Sequence, residues 1–202
     1  ASALSQQNKK ILVIDLDPQG NATTGLGLSN TEQSDQTIYG VLNGSLEINN
    51  VIKKTKFNNL DLITSNVDLS GLEVETAGDN DRAFILKAKL AAYIKDFNSI
   101  YDYILIDCPP SLSLLTVMAL VSSNSLLVPL QTEFFALEGL TQLMKTIERI
   151  KENAITFAVP FETELRRVII HGALHLMGYK DKSEEDAEIM RSKENFYLSK
   201  NV

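Results

Sequence analysis

Two short apolar segments, each ending at an aspartate, constrain the fold of this chain more than any other feature. Ile11–Asp15 and Tyr103–Asp107 are each followed closely by turn-forming residues that include proline. A continuous apolar run of this length is typical of a strand buried on both faces of a parallel sheet. Ligands bind beyond the carboxyl ends of such strands, so we expect both aspartates to lie at one edge of the sheet and to face a ligand.

Strands and helices are predicted to alternate along the first 150 residues. Further strands are predicted at Asn59–Thr64 and Ser125–Leu130. The apolar residues of Arg82–Phe97 recur at helical intervals, Leu112–Val121 reads as a largely buried helix, and Phe135–Ile150 as a long one. This alternation predicts an α/β fold with a partial parallel sheet.

The last fifty residues carry a different pattern. A break at Pro160 is followed by a predicted helix over Glu162–Met177 and by another that begins at Ser183, a suitable N-cap. No strand is predicted there. We therefore divide the chain into an α/β segment, residues 1–150, and a helical appendage, residues 151–202.

Composition excludes several classes of protein. The net charge of −7 and the absence of clustered basic residues argue against a protein that grips nucleic-acid backbones through charge alone. Cys108 is the only cysteine, so no disulfide forms within the chain and a reducing compartment is expected. No apolar run is long enough to span a membrane. The first residues lack the features of a signal peptide and suggest a chain that begins inside an element. We predict a cytoplasmic protein without membrane attachment.

Three sequence blocks together resemble the ParA-type partition ATPases of the ParA/MinD branch of P-loop NTPases. They are Asp15–Thr23 (DLDPQGNAT), Asp107–Ser111 (DCPPS) and Pro129–Leu140 (PLQTEFFALEGL), and they occur in the order and at the approximate spacing of that family. The resemblance covers about the first 150 residues. It implies a P-loop NTPase-like fold and ATP-dependent partitioning of chromosomes or plasmids.

The resemblance also implies roles for individual residues. Asp17 matches the carboxylate that positions the attacking water, Asp15 the acid near the water shell of the metal, and Asp107 the acid that supports Mg²⁺. Gln131 and Glu133 match a segment beside the nucleotide and the dimer interface. The implied cofactor is Mg-ATP and the implied partners are a nucleotide, a second copy of the chain and, by family analogy, DNA. The alternative for each aspartate is a turn former or helix cap.

The phosphate-binding loop of the ParA family, Lys-Gly-Gly-x-Gly-Lys-Thr, does not occur in these 202 residues. Gly20, Gly25 and Gly27 have the wrong spacing, and no lysine follows them to reach a phosphate. We therefore expect the chain as given to bind ATP weakly or not at all.

Both histidines lie in one short segment of the appendage. His171 and His175 are four residues apart, which places them on one face of a helix at a spacing that suits zinc. Gly172 stands where the metalloprotease motif H-E-x-x-H has its glutamate, so protease chemistry is not expected. A pair of histidines on a helix can also have a purely structural role.

The segment His171–Asp181 (HGALHLMGYKD) resembles the motif H-G-x-L-H-L-x-G-Y-x-H of YbeY-type endoribonucleases, which mature ribosomal RNA. The resemblance runs from about Lys151 to the end. It implies zinc held by His171, His175 and the residue at the third ligand position, here Asp181 in place of histidine. A carboxylate oxygen can also ligate zinc.

Three functional hypotheses follow from the two resemblances. The first is a nucleotide-driven partition switch, and the second is a zinc-dependent endoribonuclease acting on single-stranded RNA. The third is a chimeric fragment without activity, joined within Glu148–Ala154. Both families have a charged helix there, so the helical periodicity does not reveal the junction.

Overall fold

A computed structural model of the chain describes residues 1–29, 36–79, 81–97, 100–109, 113–127, 129, 148, 152–153 and 155–199. The chain divides into two compact units, residues 1–123 and 124–202.

A mixed four-stranded sheet forms the centre of the first unit. Its strands are β1 (Ile11–Asp15), β2 (Ile52–Lys54), β3 (Leu60–Ile63) and β4 (Tyr103–Asp107), in the spatial order β2-β3-β1-β4. Strand β1 pairs in parallel with both β3 and β4, whereas β2 pairs with β3 in antiparallel fashion. The predicted α/β fold is therefore confirmed, with one antiparallel edge strand that the sequence did not predict.

Strand β1 carries the core of this unit. All five of its residues are buried, and Ile11, Leu12 and Ile14 have no exposed surface. Successive side chains of a strand point to opposite faces, so burial of every residue means that both faces of the sheet are covered at β1. On one face, Ile11 and Val13 pack with apolar residues of β3, of β4, of α1 (Ser2–Gln6) and of the nearby loops: Leu4, Leu26, Leu28, Phe57, Leu60, Leu62 and Leu105.

Strand β4 is as apolar as β1 but is only partly buried. Its two ends, Tyr103 and Asp107, are exposed and the three residues between them are half-buried. The reason is its position: within the described part of the chain, β1 is the one strand beside it. The predicted strand is confirmed, and it forms an edge of the described sheet.

Short helices connect the strands of the first unit. After α1 they are α2 (Asn21–Gly25), α3 (Ile38–Leu42), α4 (Ile48–Val51), α5 (Leu72–Glu75), α6 (Ile85–Phe97) and α7 (Leu114–Ser122), with 3₁₀ turns at Val67–Gly71 and Arg82–Phe84. Helix α6 packs against α3, α4 and α7. Thr37 caps α3, because its hydroxyl accepts a hydrogen bond from the backbone N–H of Tyr39 at 3.3 Å.

Two helices of sixteen residues each dominate the described part of the second unit. Helix α8 (Phe161–Leu176) packs against α9 (Glu184–Ser199). The buried residues of α9 are Met190, Glu194 and Tyr197, whose spacing of three and four places them on one face. Ser183 caps α9 as predicted, since its hydroxyl accepts a hydrogen bond from the N–H of Asp186 at 3.1 Å.

Several sequence predictions fall in the middle of the chain. Of the helix predicted over Phe135–Ile150, only residue 148 is described, and it is helical. Of the strand predicted at Ser125–Leu130, residues 125–127 and 129 are described and form no regular element. The boundary predicted near residue 150 lies in the same stretch and stays a prediction. In the described part of the chain, no helix is long and apolar enough to cross a membrane.

The burial of β1 predicts the consequence of a mutation there. Ile14→Ala deletes a side chain with no exposed surface, so it should lower the free energy of unfolding by about 2–5 kcal/mol. Ile100→Ala, at a residue that is 55% exposed, is the matched control and should cost much less. Urea denaturation measures both, and equal losses in the two variants would contradict β1 as the core strand.

Candidate functional sites

Three aspartates meet at the carboxyl edge of the sheet. Asp15 and Asp107 are the last residues of β1 and β4, and the parallel register pairs their Cα positions directly. Asp17 lies two residues beyond β1. Burial, followed by the negative charges of Asp15 and Asp17, raises the pKa of the Asp107 carboxyl. The strand ends therefore form a cluster of like charges, which a bound cation would relieve.

Asp15 is buried completely and organises the loop after β1. Its Oδ2 accepts hydrogen bonds from the backbone N–H and the hydroxyl of Thr23, both at 2.7 Å, and its Oδ1 accepts one from the N–H of Asp17 at 3.2 Å. The Thr23 hydroxyl oxygen accepts the N–H of Ser65 at 3.0 Å, which ties this loop to the segment after β3. Both oxygens of this buried carboxylate are therefore satisfied by hydrogen bonds within the loop.

Asp17 and Asp107 are placed differently from Asp15. Asp17 is half-buried and closes a tight turn, in which its Oδ1 accepts the N–H of Gln19 and its carbonyl accepts the N–H of Gly20. Gly20 has a φ of 64°, a left-handed conformation that glycine adopts without strain. Asp107 is only partly desolvated by its neighbours and keeps an exposed surface, and its carboxylate accepts no hydrogen bond from any described residue. These two carboxylates are thus the ones open to water or to a hydrated cation.

Two of the predicted nucleotide residues cannot be placed. Gln131 and Glu133 lie outside the described residues, so their roles stay predictions. Conversely, Thr23 is a site residue to which no role was given from the sequence. Its hydroxyl and its N–H both bind Asp15, and the only signal was its position in the DLDPQGNAT block.

The second cluster lies in the other unit and consists of His171, His175 and Asp181. Helix α8 presents both imidazoles on one face, and Gly178, with a φ of 92°, turns the chain after the helix. This turn brings Asp181 back to the two rings. The Nε2 atoms of the histidines are 3.0 Å apart, and Asp181 Oδ2 is 3.6 Å from that of His171 and 3.5 Å from that of His175.

These separations match the ligand set of a tetrahedral metal. Ligand atoms about 2.0–2.1 Å from zinc in tetrahedral positions lie about 3.3–3.4 Å from one another. The three measured separations lie on either side of this value. All three side chains are 37–41% exposed, so the side of the cluster that faces solvent leaves room for a fourth ligand.

The outer nitrogens of both rings are already bonded. His171 Nδ1 is 2.8 Å from Glu194 Oε1, and His175 Nδ1 is 3.0 Å from the carbonyl oxygen of Tyr179. A carboxylate and a carbonyl only accept hydrogen bonds, so in a neutral ring the proton on Nδ1 faces outward and the Nε2 lone pair faces the cluster. At 3.0 Å the two Nε2 atoms can share a proton or ligate one metal ion.

Residues 1–158 match the family model described as an AAA domain. The chain belongs to the ParA/Soj-type family of partition ATPases. Among its relatives, the chromosome partitioning protein ParA of Caulobacter vibrioides is 47% identical over 150 residues, which are 74% of this chain and 55% of the relative. The sporulation initiation inhibitor protein Soj of Bacillus subtilis is 41% identical over 155 residues, 77% of this chain and 59% of Soj.

Solved structures with this fold include nucleotide-bound proteins. Cobyrinic acid a,c-diamide synthase from Mycobacterium smegmatis, with a bound ATP analogue and magnesium, is 34% identical with a TM-score of 0.64, and the match covers 75% of this chain and 59% of that one. A putative plasmid partition protein from Borrelia burgdorferi bound to AMPPNP is 30% identical with a TM-score of 0.57, over 74% and 62%. The ParA-type chain thus spans little more than half the length of the relatives it matches.

The tail has a match of its own. Residues 128–201 match the family model described as endoribonuclease YbeY, and the overlap with the first model, residues 128–158, includes the predicted junction. Both resemblances that were predicted from the sequence are confirmed.

The charge cluster at the strand ends predicts a gain in stability when a charge is removed. The folded pKa of Asp107 is raised, so its ionisation disfavours the folded state once the pH rises through that pKa. Asp107→Asn should therefore raise Tm at pH 7. This advantage should vanish once the pH has fallen below about 4, the ordinary pKa of an aspartate, because the carboxyl is then protonated in the folded and the unfolded state.

The control is Asp102→Asn, for which we expect a change in Tm of the opposite sign. The backbone N–H of Lys10 lowers the pKa of Asp102, so its carboxylate stabilises the folded state above its unfolded pKa and loses this effect as the pH falls through the folded value. At pH 7 its replacement should lower Tm. Calorimetry measures both variants, and a lower Tm for Asp107→Asn at pH 7 would refute the charge cluster.

Proposed function

We propose that the first unit is the carboxylate-bearing part of a Mg-ATP-dependent partition ATPase. The observation that carries this proposal is the parallel register that sets Asp15 beside Asp107, with Asp17 two residues further on. Hard oxygen ligands suit Mg²⁺, which keeps several of its waters and takes one or two carboxylates. The magnesium would neutralise charge on the phosphates of ATP.

In this proposal each aspartate has a separate task. Asp107, which accepts no hydrogen bond from the described residues, would hold the hydrated Mg²⁺. Asp17, fixed in its turn by Gln19, would orient the attacking water. Asp15 would shape the loop that carries Asp17, through the bonds it accepts from Thr23 and Asp17. A homodimer and DNA are the partners that the ParA family suggests.

The phosphate loop of the family is not among these 202 residues. Backbone N–H groups and a lysine in such a loop provide most of the contacts to the phosphates. A polypeptide of these residues alone should therefore bind Mg-ATP with a millimolar Kd or weaker. The same polypeptide preceded by the phosphate-loop segment of a ParA relative should bind in the micromolar range.

Titration calorimetry and ATP turnover measure these differences. In the extended protein, Asp17→Ala should abolish ATP turnover and retain ATP binding. The control is Thr24→Ala, four residues beyond the turn that Asp17 and Gly20 close, and it should retain both binding and turnover. Micromolar binding by the 202-residue polypeptide would contradict the need for the loop. Unchanged binding on adding the segment would contradict the proposed site.

A second function is favoured by the geometry of the tail. We propose that His171, His175 and Asp181 hold a zinc ion that serves the hydrolysis of single-stranded RNA. The YbeY resemblance suggests both the three ligand positions and this reaction. The observation is the set of ligand separations, which fit tetrahedral zinc with one position open to solvent. Zinc in such a site lowers the pKa of a bound water and supplies a nucleophile.

Metal analysis of the purified chain tests this second function. The wild-type chain should hold one zinc, and His171→Ala should weaken its affinity at least ~100-fold, because one of three protein ligands is lost. Lys182→Ala, an exposed residue next to Asp181, should bind as the wild type does. A chain that takes up neither zinc nor Mg-ATP would instead support a chimeric fragment without activity.

A further inference from the structure

A buried glutamate on α9 supports the face of the histidine cluster that points away from solvent. Glu194 is only 5% exposed, and its Oε1 lies 2.8 Å from Nδ1 of His171. Its other oxygen, Oε2, is 3.3 Å from Nη1 of Arg167 on α8. The glutamate is therefore held between a cation on one side and an imidazole N–H on the other.

Arg167 forms ion pairs with two buried carboxylates. Its Nε lies 3.5 Å from Oε2 of Glu164, a residue that is 2% exposed, and its Nη1 also donates to Asn195 Oδ1 at 3.0 Å. The guanidinium of Arg167 is thus divided between two carboxylates, and Glu194 has a second partner in the ring of His171. A buried carboxylate is costly unless its oxygens are paired, so Glu194 favours a proton on the near ring nitrogen.

We propose that Glu194 is a positioning residue for His171 as a metal ligand. By accepting the Nδ1 proton it fixes the ring orientation and tautomer, and it leaves Nε2 free to face His175 and Asp181. The inference rests on the proposed zinc site. Metal-bound histidines commonly donate their second N–H to a carboxylate, which strengthens the nitrogen that binds the metal. For His175 the corresponding acceptor is the carbonyl of Tyr179, which a side-chain substitution does not remove.

A purely structural role for Glu194 makes different predictions. The ion pair with Arg167 would then matter for the packing of α8 on α9, and its loss would lower Tm without a change in the tautomer of His171. Metal affinity per folded molecule would also stay the same. Two measurements on the full chain separate these roles.

The first measurement is zinc affinity by competition with a chromophoric chelator. Glu194→Ala should weaken zinc binding by about 10- to 100-fold, the usual cost of removing such a partner. Glu194→Gln keeps the shape and an acceptor oxygen but loses the charge, so it should bind about 10-fold more weakly. Glu188→Gln, an exposed glutamate on the same helix, should match the wild type. If Glu194→Ala does not fold, Glu194→Gln decides, and wild-type affinity in that variant would overturn the proposal.

The second measurement is the position of the imidazole proton, read from ¹H–¹⁵N correlations of the zinc-free protein above the titration of its histidines. His171 should carry its proton on Nδ1 in the wild type and lose this preference in Glu194→Ala. A proton on Nε2 of His171 in the wild type would overturn the proposal. A wild-type chain that takes up no zinc contradicts the zinc site. The tautomer of His171 alone then tests whether Glu194 positions the ring.

Discussion

The parallel pairing of β1 with both of its neighbours is the constraint from which the first unit follows. Because β1 lies between β3 and β4, its residues are buried on both faces, and its last residue is brought level with the last residue of β4. Two acidic side chains that are 92 positions apart in sequence thereby share one edge of the sheet. The charge cluster depends on this register, and together with burial it raises the pKa of Asp107.

The two candidate sites reach the same physical condition by different routes. At the strand ends, three carboxylates are close enough to disfavour the ionisation of one of them. In the tail, two imidazole lone pairs and a carboxylate converge within 3.0–3.6 Å. In each place, oxygen or nitrogen atoms that can ligate a cation face one another. A cation lowers the energy of both arrangements.

The parts of the fold that the sequence predicted are those that local pattern determines. The buried run of β1, the cap at Ser183 and the spacing of His171 and His175 can be read within a few residues of the chain. Strand β2 could not be predicted in this way, because two of its three residues are lysines. It exists through its pairing with β3, where Lys54 lies 2.7 Å from Asp61.

The same limit applies to the residues of the sites. Asp15, Asp107 and Asp181 stand out in their motifs, and the structure brings Asp15 beside Asp107 and Asp181 beside the two histidines. Glu194 is separated from His171 by 23 residues, and on a charged helix nothing marks it as different from its exposed neighbours. Only the packing of α9 on α8 brings it to the ring. Partners that are fixed by packing rather than by spacing were the ones missed.

The central claim is that the ends of β1 and β4 form one cation-facing site. Mn²⁺, which prefers the same oxygen ligands as Mg²⁺, tests it directly through paramagnetic broadening of backbone amide signals. The account predicts that the amide signals of Leu16, Asp17 and Gln19 broaden together with those of Asp107 and Cys108 at low Mn²⁺ concentration. Asp107→Asn should remove the effect at both strand ends. Broadening at only one strand end, or only around His171 and His175, would contradict it.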